Sequence, residues 1–406
     1  MKRNGHIAFV VPYAAMSRDP YVQFRTGDFN KWRSQPKAVR FTNAWTFPSE
    51  VQPLFPVPSC VLFGEGVKLP RSLPEKVTRY SGNLPKRDAS PEMAEKYLAT
   101  SEEPWPEGTG ATGSSYEKKF RQGATLSPRT MVIVEELAAG RLGINREAPR
   151  VRGRTSAQDT KPWKSLKPLE GPVEIDALRT VYLGESIGPY RVLSEVIGVI
   201  PWNPQTKLVM DSEAALKAGY RDLAHWLSDA EGLWEKHGRG SMSLLDRWDY
   251  NRALRVQFPI SPSRVVYAKA GTQPAAAIIE HPTAIIDHML YWMACKTHEE
   301  ARYLCAVLNS ETARSRAEKF QAEGQFGKRH FDKAMFSLPI PEFDRKAEVH
   351  KELAAAAMHA EFVASRVEVK EGENFVSTRN RIRKTLAEEG IAGDIDKLVE
   401  KLLGPV

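Results

Sequence analysis

Residues 307–343 read VLNSETARSRAEKFQAEGQFGKRHFDKAMFSLPIPEF, and the fold is read outward from them. The spacing predicts a basic helix from Ser310 to Glu323, carrying Arg314, Arg316 and Lys319 and stopped by Gly324. A loop follows. Gly324 and Gly327 free its backbone for close approach to a ligand. Gln325 can pair bidentately with adenine, and Lys328 or Arg329 with guanine or phosphate, with His330 beside them. Phe336, Leu338 and Ile340 then alternate as a strand whose neighbouring prolines refuse inner ladder bonds. An ordinary helix–loop–strand corner has the same pattern.

Around this stretch lie 406 residues, 42% of them apolar and 27% charged, an ordinary globular balance with room for two to four domains. The net charge is +8, which favours polyanionic partners without proving one. Most of that surplus falls in 141–167. Arg141, Arg146, Arg150, Arg152, Arg154, Lys161, Lys164 and Lys167 are opposed there only by Glu147 and Asp159. A solvated basic loop and a phosphate-contacting segment fit this stretch equally. Three cysteines exclude a disulfide scaffold and suit a reducing compartment such as the cytoplasm. No apolar run is long enough to span a membrane. Ile7–Met16 is mostly apolar, and Ile7–Val11 within it reads as a buried strand ended by Pro12 in preference to a secretory signal.

Further strands are predicted at 39–41, at 60–63 closed by Gly64, and at 131–134, 265–267, 276–279 and 284–286. Residues 103–115 read as an extended loop. One amphipathic helix is predicted over 211–237, capped by Asp211 or Ser212, with Leu216, Tyr220, Leu223, Leu227, Ala230 and Trp234 on one face. Another starts at Thr297 with Glu300 completing a capping box. The tail from 345 is helical by its period.

Most chemical motifs are missing. There is no phosphate loop, no G-x-G-x-x-G and no G-x-S-x-G elbow. His281, His288, Cys295 and His298 match no zinc spacing, and no metal is expected. Asp344, Glu368 and Lys370 are the nearest approach to a nuclease triplet, in a charge-rich region where such triplets arise by chance.

The order Leu308-Asn309-Ser310, the Gly324–Arg329 loop, and Leu338-Pro339-Ile340-Pro341 resembles the target-recognition domains of restriction–modification proteins. Gly5–Pro12 and Pro56–Phe63 resemble strands that follow the catalytic motif in type IIG-like adenine-N6 DNA methyltransferases, and Arg179–Ser186 and Val265–Tyr267 suit the recognition half. The resemblance covers most of the chain. It implies an α/β plus α+β chain: residues 1–70 as C-terminal strands of a Rossmann-like methyltransferase domain, 71–343 as a mixed α+β target-recognition domain with a flexible stretch near 100–128, and 344–406 as a helical tail. It also implies double-stranded DNA as partner and S-adenosylmethionine as cofactor. The family's glycine turn for that cofactor and its Asn/Asp-Pro-Pro-aromatic motif have no counterpart in these residues. The cofactor site is therefore expected outside this chain, with the catalytic half on another polypeptide or lost. No catalytic residue is carried over. By the same resemblance the DNA contacts are Gln325, Lys328, Arg329, His330, Arg314, Arg316, Lys319, Arg146, Arg150, Arg152 and Arg154. The alternative is a non-catalytic specificity subunit that positions a separate methyltransferase or nuclease.

Overall fold

A computed structural model describes residues 5–16, 21–25, 38–47, 51, 53–55, 57–67, 73–105, 113–138, 143, 145–156, 159–321, 331–370 and 372–404. These residues are of mixed α and β structure. The chain divides into two compact units, residues 1–113 with 317–339, and residues 114–316 with 340–406.

The first unit holds a five-stranded sheet of β1 (His6–Pro12), β2 (Ala38–Phe47), β3 (Ser59–Val67), β4 (Lys76–Ser81) and β5 (Ala99–Pro104), in the order β1-β3-β2-β4-β5. Only β2 and β4 run parallel; the other neighbours are antiparallel. The apolar run near the N-terminus is thus a ladder strand, paired with β3 from His6 to Pro12. Gly64 does not close its strand, which runs on to Val67. It is the point where the Val39 and Phe41 side chains cross β3, and a Cβ there would lie 2.6 Å from Val39 Cγ1. Met16, Phe41, Ala44, Cys60, Leu62 and Val77 form the core beneath. Two short helices, α1 (Val22–Arg25) and α2 (Pro91–Tyr97), belong to this unit.

The strand expected at 336–340 is absent. Ala334–Ser337 form a 3-10 turn, and no strand is assigned over 331–343. Pro339 and Pro341 bring no N–H to a ladder. The carbonyls of Ile340 and Pro341 instead accept from Ser114 Oγ and Tyr303 Oη, both at 2.9 Å.

The second unit has a larger core. Its six-stranded sheet contains β7 (Ile133–Glu136), β8 (Arg150–Gly153), β9 (Glu170–Pro172), β10 (Leu178–Tyr182), β13 (Val196–Val199) and β18 (Ile285–Ile286), in the order β18-β10-β13-β7-β8-β9. A four-stranded sheet holds β6 (Arg121–Gln122), β16 (Arg264–Ala268), β17 (Ala276–Ile279) and β19 (Leu290–Ala294). Two small ribbons pair β11 (Ile187–Gly188) with β12 (Arg191–Val192), and β14 (Trp202–Asn203) with β15 (Leu208–Val209).

Two local expectations fail in this unit for identifiable reasons. The strand predicted at 131–134 starts late, because Arg129–Val132 close one helical turn, α3, on the Pro128 N-cap before β7 begins. The helix predicted over 211–237 is two helices, α4 (Ser212–Lys217) and α5 (Arg221–His237). Gly219, at φ +91°, ends the first, so Leu216 leaves the shared face and is 58% exposed. Asp211 does cap α4, accepting from Ala214 N at 2.7 Å. Leu223, Trp226, Leu227 and Ala230 bury α5, and Trp226 Nε1 donates to Met131 O at 3.0 Å. Leu244 and Trp248 of α6 (Leu244–Trp248) complete that core.

Helix α7 (His298–Asn309) starts where expected, Thr297 accepting from Glu300 N at 3.2 Å. The Glu300 carboxylate reaches one residue further back than a capping box requires, to Lys296 N. Thr297→Ala is expected to cost about 1 kcal/mol, read as a lower urea midpoint at unchanged m. After α8 (Glu311–Ala317), the tail forms α9 (Glu348–Arg366), α10 (Phe375–Glu388) and α11 (Ile391–Leu403). Arginines tie α10 down. Arg379 donates to the carbonyls of Ile187 and Gly184, and Arg383 to that of Pro274.

His350 of α9 is buried against Tyr303, and its Nδ1 accepts from Asp344 N at 2.9 Å. Burial holds its pKa below the ordinary 6.5, although Asp344 pulls the other way. The unfolded chain therefore takes up this proton first as pH falls. The stability that neutral His350 contributes is present above pH 6.5 and is lost as pH drops through its lower folded value. Urea midpoints should fall between pH 7.5 and 5.5, and fall less for His350→Gln.

Candidate nucleic-acid interface

Strand β8 turns a charge cluster into a surface. Val151 and Gly153 point inward, so the period of two puts Arg150, Arg152 and then Arg154 on one exposed face. The basic loop that follows is anchored from below. Asp159, one of its two acids, is buried and accepts from Arg129 N at 3.0 Å and Ser156 N at 3.1 Å, so it offsets little at the surface. Trp163 stacks on Trp234 of α5 at 5.6 Å and 12°, which fixes the loop while Lys161, Lys164 and Lys167 stay exposed. Arg146 is exposed as well.

Acids face the arginines as well, with exposed Glu135 of β7 opposite Arg152 on one side of the ladder. Glu170 of β9 lies opposite Arg152 in the ladder. Arg152 donates from Nε and Nη2 to Glu170 Oε2 at 3.0 and 2.9 Å, and Arg150 Nη2 donates to Oε1 at 3.1 Å. Arg152, and then Arg150, hold the Glu170 carboxyl below the usual carboxylate range. Among the described residues, Arg146 and Arg154 form no ion pair. No local pattern in the sequence marks Glu170, because its partners are 18 and 20 residues away.

The other expected contacts have partners of their own or fall outside the described residues. Arg314 is held by Glu311, three residues back on its own helix, with Nε on both carboxylate oxygens. Arg316 Nη1 donates to Gly404 O at 2.7 Å, so its guanidinium ties α8 to the end of α11. The side chain of Lys319, and all of Gln325, Lys328, Arg329 and His330, lie outside the described residues.

Among the described residues, no three His, Cys, Asp or Glu side chains converge as metal ligands. His281 meets Thr180, His288 meets Asp287, and His298 meets Glu280, while burial pushes the Cys295 thiol up to about 12. Among those residues, no helix is long and apolar enough to cross a membrane.

No protein-family model matches the chain, and no curated protein matches it. Solved structures do. The chain is similar to the type IIL restriction–modification enzyme MmeI, solved in complex with DNA, at a TM-score of 0.48 and 11% identity over 100% of this chain. It is similar to the type IIG restriction endonuclease BpuSI at a TM-score of 0.29 and 11% identity over 99% of this chain. The chain spans 48% of the length of each of these proteins.

Proposed function

We propose that this chain is the DNA-recognition portion of a site-specific adenine-N6 DNA methyltransferase of restriction–modification type. The observation that carries the reading is the exposed row Arg150, Arg152 and Arg154 on one strand face, continued by Lys161, Lys164 and Lys167. Cations spaced along a rigid strand suit a phosphate backbone, which positions the protein without reading sequence. Base reading falls in this proposal to the 324–330 loop, with Gln325 for adenine and Lys328 or Arg329 for guanine. Residues 1–70 would contribute strands to a Rossmann-like catalytic domain, and S-adenosylmethionine would be held by the catalytic half. No methyl-transfer step is assigned to residues of this chain.

The test is duplex binding by the full chain against salt. Each phosphate contact adds about −0.9 to the slope of log K against log[salt]. Arg146→Gln with Arg154→Gln should therefore flatten the slope by up to about 1.8, on specific and random duplex alike. An unchanged slope would remove this face from the interface. Arg329→Ala should instead lower discrimination between sites by about 1–3 kcal/mol and leave random-duplex affinity nearly intact. Equal losses on both duplexes would reject the base-reading role.

A further inference from the structure

One carboxylate occupies two of the three arginines on the β8 face. Glu170 receives Arg150 on one oxygen and the Nε–Nη2 edge of Arg152 on the other. A phosphodiester presents the same pair of anionic oxygens to a guanidinium fork, so it competes for the same donors. The three side chains are open to that competitor, at 65% exposure for Arg150, 46% for Arg152 and 31% for Glu170. Exposed ion pairs of this kind are individually weak, so a polyanion can displace them. Arg154, two positions along the same face, has no carboxylate across from it among the described residues. The face therefore offers one open cation and two guarded ones.

We infer that Glu170 is a built-in competitor for DNA phosphate, and that it holds down affinity for random duplex by keeping Arg150 and Arg152 occupied. The inference rests on the DNA-binding reading above and assigns that interface its regulation. Random DNA meets only the open cations. DNA held longer and closer, through base contacts elsewhere, brings phosphate near enough to replace the carboxylate and recruit both arginines. Glu170 thus widens the gap between specific and non-specific binding without touching a base.

The experiment measures binding of the full chain to a random-sequence duplex from 50 to 200 mM salt. Glu170→Gln keeps the size and shape of the side chain and removes its charge. Two released arginines should steepen the log–log slope by about 1.8. The variant should bind about tenfold tighter at 50 mM, an advantage that vanishes near 200 mM. Glu213→Gln, an exposed acid on α4 paired with Lys217, makes the same change in net charge and should do neither. Adding Arg150→Gln and Arg152→Gln to Glu170→Gln should return the slope to the wild-type value or below. An unchanged or weaker affinity in Glu170→Gln overturns the inference, as does an equal gain in Glu213→Gln. If the wild-type chain itself shows no salt-dependent duplex binding, the DNA-binding reading falls and takes the inference with it. If wild type binds and only Glu170→Gln is silent, the reading stands and the inference alone is lost.

Discussion

Gly153→Ala should destabilise the second unit by about 3 kcal/mol or more, the top of the range for overpacking a tight interior. A Cβ at Gly153 would sit 2.1 Å from the carbonyl oxygen of Thr130, and that oxygen belongs to backbone, which has no rotamer to change. The strand cannot simply move away. Gly153 N donates to Leu169 O, and Arg154 N donates to Ile133 O, both at 2.8 Å, so β8 is held on either side at this residue. Relief means breaking those bonds and shifting the strand that displays Arg150, Arg152 and Arg154. Duplex affinity should fall with stability, although no charge is altered. Gly171, on the neighbouring β9, is the matched control. A Cβ there meets nothing within 4 Å, so Gly171→Ala should stay within about 0.5 kcal/mol of wild type. Urea unfolding of the two variants separates a close-approach glycine from a permissive one. A loss under about 1 kcal/mol in Gly153→Ala would mean that Thr130 can retreat and that β8 is not fixed by this contact.

What the sequence showed of this molecule was what is local. Thr297 caps α7 because a hydroxyl three residues from an N–H needs no distant partner. The strands at 7–11 and 60–63 declared themselves through short apolar runs between prolines and glycines. The basic stretch at 141–167 was visible as charge, and its exposure on β8 follows from a period of two. The failures share the opposite property. The helix break at Gly219 lay hidden inside a pattern that fits one helix with Leu216 on the shared face, whereas the structure leaves Leu216 exposed. The strand at 336–340 had the right alternation, but its neighbouring carbonyls are taken by side chains from 114 and 303, far away in sequence. Glu170 carries no local mark, because its partners lie 18 and 20 residues away. Nor does a basic helix show its pairing: Arg314 is held by Glu311, and Arg316 by a carbonyl 88 residues on. Composition reports that charges exist, and only pairing reports which of them are available.

Asp287 is the buried charge whose removal should cost most. It is fully buried, and three groups converge on its carboxylate. Met289 N donates to Oδ1 at 3.0 Å, His288 Nδ1 lies 3.0 Å from Oδ2, and Arg129 Nη2 is 3.8 Å from Oδ1. Arg129 is itself 5% exposed, and its other charged partner is Glu185, through Nη1 at 2.9 Å. Asp287→Ala would leave the Arg129 charge half-compensated away from water and strip the Met289 N–H of its acceptor. Breaking one side of a buried pair in this way costs about 3–5 kcal/mol, against near neutrality when both partners become apolar. The paired variant Arg129→Met with Asp287→Leu should therefore recover most of what Asp287→Ala loses, short of the hydrogen bonds to 288 and 289. Urea midpoints of wild type, Asp287→Leu, Arg129→Met and the double variant form a cycle that isolates the coupling. Strong coupling identifies the pair as a unit holding the β18 segment in place. Additive losses would show that Asp287 acts through its bonds to 288 and 289 alone, and that Glu185 suffices for Arg129.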